Sequence, residues 1–434
     1  MKIIYQGYQI LLLKNMKNKI ELLSPVGSFE NLHAAIQGGA DAIYFGVEQL
    51  NMRAKSISSF SINDLAKIKT ICSQLRIKSY ITLNTVMYEH DMQLLKTILK
   101  EVKKQNINAV IAADFAVMEY CKQLKIPVHI STQANVSNIE SVKFFSNFSD
   151  AVVLARELTL KQVKQIADEI SRKNIKGISG ELMRIEVFVH GALCMAISGK
   201  CYLSLHSQNS SANRGACAQN CRHAYKVKDL ETGEELMIDN EYIMSPKDLC
   251  TINILDQIIN SGATILKIEG RSKGPEYVYT VTKAYRQAIE EIQAGTYTQE
   301  KAEEWKTELN KVYNRGFWEG YYLGKEYGEW TTNPGSAATE KKVYVGKGSK
   351  YFSKIKVGEF ILESGSIAVG DTLMVTSPDF GIVKEKMNRL VANGMEVKKA
   401  VKGDLITFPS EKKITAQDKL YKIVEERNGQ YHSL

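Results

Sequence analysis

Along the first 290 residues, short runs of apolar and β-branched residues alternate with stretches whose apolar positions repeat at helical spacing. The short runs are IELL (20–23), DAIYFG (41–46), SYITLN (79–84), AVIAAD (109–114), VHIST (128–132), AVVLA (151–155), IEVFVH (185–190) and TILKIEG (264–270). Helical patterns such as SFENLHAAIQGG and SINDLAKIKTICSQL lie between them. In the first, Ser28 is placed to cap the helix N-terminus and the Gly38-Gly39 pair to end it. Eight strands with intervening helices predict an α/β fold of the (β/α)₈ TIM-type barrel class, with its site at the C-terminal strand ends. A doubly wound sheet is the alternative.

The strand ends carry the polar residues that a barrel mouth needs. Apolar interiors run out into Asn84, Asp114, Ser131-Thr132-Gln133, Arg156-Glu157, His190, and Glu269 with Arg271. Any one of these can be a helix cap or a loop ion pair; as a set they favour an enzyme over a scaffold. About 75 residues separate the seventh strand from the eighth, far more than an ordinary connection. This insertion (about 191–262) includes the polar stretch SLHSQNSSANRG, expected to be a mobile or partner-contacting loop.

Beyond the last barrel helix, PEYVYTVTKAYRQAIEEIQAG, come a helical connection and the aromatic run RGFWEGYYLGKEYGEW. Residues 331–342, TTNPGSAATEKK, read as a linker between a 16–330 barrel domain and a 343–434 domain of short strands. There SIAVGDTLMV and AVKGDLITF both enter an apolar strand through a Gly-Asp turn, which suits a small C-terminal β-barrel.

Composition adds modest constraints. The chain has 434 residues, 44% hydrophobic and 24% charged, enough to bury a large core. Its net charge of +9 favours an anionic partner, RNA or a phosphorylated or carboxylated metabolite, without choosing between them. No run of 18 apolar residues occurs, so no membrane span is expected. Residues 1–15 are expected to be a peripheral extension, with Met16 an alternative start, because their apolar patch is too short for a signal peptide. Seven cysteines without a secretion signal argue against a disulfide framework and for the reducing cytoplasm.

Four of those cysteines, Cys194, Cys201, Cys217 and Cys221, fall within 28 positions of the insertion, spaced Cys-x6-Cys-x15-Cys-x3-Cys. Structural zinc sites use tight knuckles in both halves, and only Cys217/Cys221 approaches one. Uneven spacing is acceptable for a [4Fe–4S] cluster. Spacing alone leaves iron–sulfur, zinc and neither open. Lys200, Arg214, Arg222 and His223 nearby would favour thiolates. Cys72, Cys121 and Cys250 read as small buried residues in helical contexts. No zinc-protease His-Glu-x-x-His, no Gly-x-Ser-x-Gly elbow and no Walker loop is present. A cysteine nucleophile with His190 or His223 as base remains conceivable, though one catalytic thiol would not explain four.

EVFVHGALCMAISGKCYLS, NRGACAQNCRHAY, SPKDLC and LKIEGRSK closely resemble the U-thirty-two peptidase family, the collagenase-like proteases. LLSPVGSFENLHAAIQGGADAIYFG, HISTQANVSN and VVLARELTL match it too, so the resemblance spans roughly residues 19–330. It implies that the chain is similar to a branch acting in tRNA hydroxylation, converting wobble uridine to 5-hydroxyuridine. Relatives of that branch are associated with a four-cysteine iron–sulfur cluster and with prephenate as oxygen donor. Carried over by motif, Cys194, Cys201, Cys217 and Cys221 would be the ligands, with zinc as the alternative metal.

On that reading, Arg53, Arg156, Lys267 and Arg271 are candidate cations for a small dianionic carboxylate donor, with Asn84 and Gln133 beside them. His190, Glu157 and Glu269 are candidates for moving protons during transfer to the uracil ring, unless Glu269 merely pairs with Arg271. An anticodon-loop base is already unpaired, and the +9 charge and lysine-rich tail would bind phosphates. Two alternatives are a collagenase-like peptidase and a non-catalytic subunit in a heteromer with a paralogue.

Overall fold

A computed structural model describes residues 20–53, 60–226, 228–233, 244–324, 328–332 and 335–426. The expected extension at residues 1–15, with the alternative start Met16, lies outside them.

All eight expected strands form. They are β1 (Glu21–Pro25), β2 (Ala42–Gly46), β3 (Lys78–Leu83), β4 (Ala109–Ala112), β5 (Val128–Ile130), β6 (Ala151–Val153), β7 (Arg184–Gly191) and, last in the barrel, β9 (Ile265–Ile268). Each pairs in parallel with the next, and Leu266 of β9 is in register with both Leu22 of β1 and Val187 of β7. The sheet therefore closes on itself, and the doubly wound alternative is excluded. Closure explains the near-continuous apolar runs, because every strand is covered by side chains inside and helices outside. Helix α1 (Phe29–Gln37) begins at Ser28, whose side chain accepts from Asn31 N, and ends at Gly38.

The region after β7 departs from a plain barrel. Between Phe188 and His190 the register with β9 shifts, and the end of β7 turns to an antiparallel partner, β8 (Asp248–Cys250). Strand β10 (Phe317–Trp318) adds in parallel to β8, so the start of the aromatic run is stitched beside the barrel mouth. Cys250 is buried as expected, but on this short strand and not in a helix. Cys72 and Cys121 are buried in helices.

From Glu340 to Glu425 ten strands pair antiparallel, eight in one sheet and two in a small second one. The first begins at Glu340, three residues before the expected boundary. The two Gly-Asp segments prove to be equivalent turns: Gly370 and Gly403 have φ of 95° and 96°, and Asp371 and Asp404 each accept a backbone N–H three residues back. The strands preceding the turns, Ser366–Ala368 and Lys399–Val401, pair with each other. This domain has its own core, in which Phe360 stacks on Phe408 at 4.8 Å.

Candidate active site at the barrel mouth

The barrel interior holds charge as well as hydrocarbon. Near the strand starts Glu21 accepts from Tyr80 (2.6 Å), Lys78 (2.7 Å) and Arg184 (3.1 Å). Nearer the mouth, Glu186 bonds Lys267 at 2.6 Å and His129 at 3.0 Å. Burial alone would raise the Glu186 carboxyl, but Lys267 and His129 outweigh it and bring it to about 2. Lys267 is thus buried and already neutralised, with Tyr44 and Phe188 rings at 4.7 and 5.5 Å.

At the mouth Glu269 pairs with Arg53 at 2.8 Å, and not with Arg271. Burial would raise its carboxyl; Arg53, Lys273 and Arg271 hold it below the usual range. Arg271 is buried and its guanidinium donates to two neutral acceptors, Asn51 Oδ1 (3.1 Å) and Thr82 Oγ1 (2.7 Å). Desolvation lowers it to about 10, still cationic at neutral pH. Gly46 ends β2 beside this group: a Cβ there would lie 2.5 Å from Asn51 and 2.7 Å from Arg271. Asn84 is half-buried, accepting from Met52 N and donating to Ser131. Lys273 lies over the Tyr313 ring at 3.0 Å, and burial, with Arg315 beside it, lowers it to about 8.

The insertion folds back over this mouth. Arg156, at the end of β6, donates to Ala192 O (3.3 Å) and Ser198 Oγ (3.2 Å). Asn135, with a left-handed backbone, donates to Ser198 O (2.8 Å). The segment bearing Cys194 is therefore clamped at both ends. Gln133 lies beneath Gly199 with its Oε1 buried and unbonded, as are Thr132 Oγ1 and Asn135 Oδ1. Arg222 donates to Leu193 O, Pro246 O and Ser245 Oγ, and so ties the second cysteine pair to the first. Arg214 does not serve the thiols; it is held by Asp91 (2.6 Å) and Val86 O and packs on Tyr88. Those contacts hold Arg214, at the end of the stretch expected to be a mobile or partner-contacting loop, part of which is a helix at Leu203–Gln208.

The four insertion thiols share one neighbourhood. Burial raises the Cys221 thiol, Arg222 opposes this, and Cys194, Cys217 and Cys201 each add to the rise. Among the described residues no three histidine, cysteine or carboxylate side chains close around a single ion. A tetrahedral zinc needs all its sulfurs about 2.3 Å from one point. In a [4Fe–4S] group the four thiolates are shared among several irons, so they need not meet there. The donor set, four partly exposed thiols with no competing disulfide, fits the second group chemically.

His190 is 1% exposed among Tyr277, Tyr285 and Phe317. Desolvation lowers it to about 3, so it is neutral at physiological pH. Among the described residues neither His190 nor His223 hydrogen-bonds to a thiol. Glu157 is exposed and lines a small, solvent-open cleft together with Arg156, Cys194, Trp318, Tyr321 and Trp330.

Sequence reasoning did not single out Asn51, Thr82, Asn135, Lys273 or Asp248. Each acts through a partner distant in the chain. Asn135 lies in HISTQANVSN, Asp248, which pairs with Arg315 at 3.3 Å, in SPKDLC, and Lys273 in LKIEGRSK, where its charge two residues after Arg271 was the available signal.

Residues 27–332 match Peptidase family U32. A Porphyromonas gingivalis protein named collagenase is 51% identical over 405 residues, 93% of this chain and 98% of the relative. The tRNA hydroxylation protein P1 of Bacillus subtilis is 34% identical over 313 residues, 70% of this chain and 71% of the relative. An Escherichia coli 23S rRNA 5-hydroxycytidine synthase is 33% identical over 279 residues, 63% of this chain and 40% of the relative. With its match running through the barrel, the insertion and the aromatic run, this chain belongs to Peptidase family U32.

Proposed function

We propose that the chain hydroxylates RNA, converting the wobble uridine of tRNA to 5-hydroxyuridine with a small dianionic carboxylate such as prephenate as oxygen donor. The observation that carries this reading is a buried Arg271 at the barrel mouth with no carboxylate hydrogen bond, under a four-cysteine insertion that Arg156 and Asn135 clamp over that mouth. Two relatives named for RNA hydroxylation support it.

Cys194, Cys201, Cys217 and Cys221 would hold an iron–sulfur group, which when bound supplies redox and Lewis-acid chemistry. Arg271 and Arg53 would bind the donor's carboxylates. Arg271 suits that role because it is buried without a carboxylate hydrogen bond, so an incoming anion gains a charge-assisted contact. Lys267 serves differently: its charge is spent on Glu186, and it shapes the floor. Glu269 orients Arg53, while Glu157 is exposed and free to accept a proton from a bound ring. His190, neutral and enclosed by aromatic rings, packs the base of the insertion.

The test is nucleoside analysis of tRNA from a deletion strain carrying an empty vector, the wild-type gene or Arg271→Gln. Loss of 5-hydroxyuridine derivatives, restored only by the wild type, is expected. An unchanged profile in the deletion strain contradicts the reading. The collagenase-named relative supports peptidase activity as a second reading. Gelatin cleavage that survives Arg271→Gln but not cysteine substitution would favour it.

A further inference from the structure

Given that the insertion cysteines hold the iron–sulfur group proposed above, on which this rests, we infer that Arg222 is that group's built-in counter-charge. It is a positioning residue that ties a cysteine of each pair together and raises the group's reduction potential. Arg222 directly follows Cys221 in the single turn Asn220–Arg222. That turn is entered through Gln219 with φ of 57° and anchored by the Tyr225 hydroxyl, which donates to Asn220 O (2.6 Å). The Arg222 guanidinium donates to Leu193 O (2.5 Å), on the residue before Cys194. It also donates to Pro246 O (2.6 Å) and Ser245 Oγ (3.1 Å), which lead into β8.

The charge needs a reason as well as the tie. All three acceptors are neutral, and among the described residues no carboxylate pairs with Arg222; Asp248, two positions after Pro246, belongs to Arg315 at 3.3 Å. Two carbonyls and a hydroxyl could be met by a neutral donor. A guanidinium drawn half out of water with no anion beside it is costly. The other cations close to these cysteines in the chain do not fill the place. Arg214 is held by Asp91 at 2.6 Å, and Lys200 and His223 are exposed, where water and salt screen them. A [4Fe–4S] group on four thiolates is a net anion, more negative when reduced. A half-buried cation fixed between Cys221 and Leu193 stabilises that anion, and its reduced form most.

The midpoint potential tests this on full-length protein purified without oxygen, titrated with dithionite and followed by the thiolate-to-iron absorption. Wild type is compared with Arg222→Lys, which keeps the charge, and Arg222→Gln, which keeps two N–H donors without it. In Arg222→Gln the reduced-to-oxidised ratio at the wild-type midpoint should fall about tenfold, a downward shift of about 59 mV for one electron. Arg222→Lys should move less than about half as far. Loss of iron from Arg222→Gln but not from Arg222→Lys would support the same role through retention of the group. Equal midpoints in all three proteins, equal loss of iron from both variants, or as large a shift from Lys200→Gln would overturn the inference. Wild-type protein holding zinc or no metal would overturn it along with the iron–sulfur assignment. A deletion strain that kept its 5-hydroxyuridine derivatives, beside a lowered midpoint in Arg222→Gln, would remove only the hydroxylation reading.

Discussion

Lys267 and Arg271 stand four positions apart at the end of β9, yet their partners give them different work. Lys267 meets Glu186 inside the barrel, so removing that carboxylate strands a buried cation. Glu186→Leu should cost roughly 3–5 kcal/mol, read as a fall in the unfolding midpoint in denaturant; an unchanged midpoint would show that the pair adds little. His190 carries a pH signature. Its folded pKa, about 3, lies below the unfolded value of about 6.5, so the unfolded chain binds the extra proton between those values and stability rises with pH across that window. At pH 5 the contribution is about 2 kcal/mol against folding. His190→Phe should flatten stability between pH 5 and 7, and an unaltered slope would place the titration elsewhere. Residue types at strand ends could be read from the sequence because apolar runs stop abruptly there. Their pairings could not: Glu269 has Arg271 two positions away and instead bonds Arg53, 216 positions earlier.

At the scale of elements, the decisive feature is how β7 hands over to the insertion. Gly191 has φ of 108°, and a Cβ there would lie 2.5 Å from Glu269 O. Gly191→Ala should therefore destabilise by about 1–3 kcal/mol and shift the insertion relative to Glu269. Asn135→Ala removes one clamp on Ser198 and should speed amide exchange across residues 193–200, leaving the α1 amides protected; equal exchange would mean that Arg156 suffices. All eight barrel strands were legible because burial on both faces leaves uninterrupted apolar runs. Strands β8 and β10 were not, since three and two residues carry no period and their pairing is set by the register shift in β7. The four thiols were visible as a group from proximity in the chain alone, whereas the turns that gather them depend on Arg222 and Asn135.

Across the whole molecule, the C-terminal sheet docks on the barrel through Gln37, whose side chain exchanges two 3.0 Å hydrogen bonds with the Ile382 backbone, and through Lys342–Glu276 at 2.7 Å. Lys398, Lys399 and Lys402 of the same domain, on and beside the strand Lys399–Val401, are exposed. If they meet RNA phosphates, their replacement by Gln should lower the log–log salt slope of tRNA binding by up to about 2, and an unchanged slope would remove them from the interface. No helix among the described residues is long and apolar enough to cross a membrane. The account turns on whether the insertion thiols are ligands or nucleophiles. Iron and acid-labile sulfide should be measured on protein purified without oxygen, wild type beside Cys221→Ser. About four of each per wild-type chain, lost in the variant, is the expected result. One zinc per chain, or no metal in protein that still modifies tRNA, would contradict it.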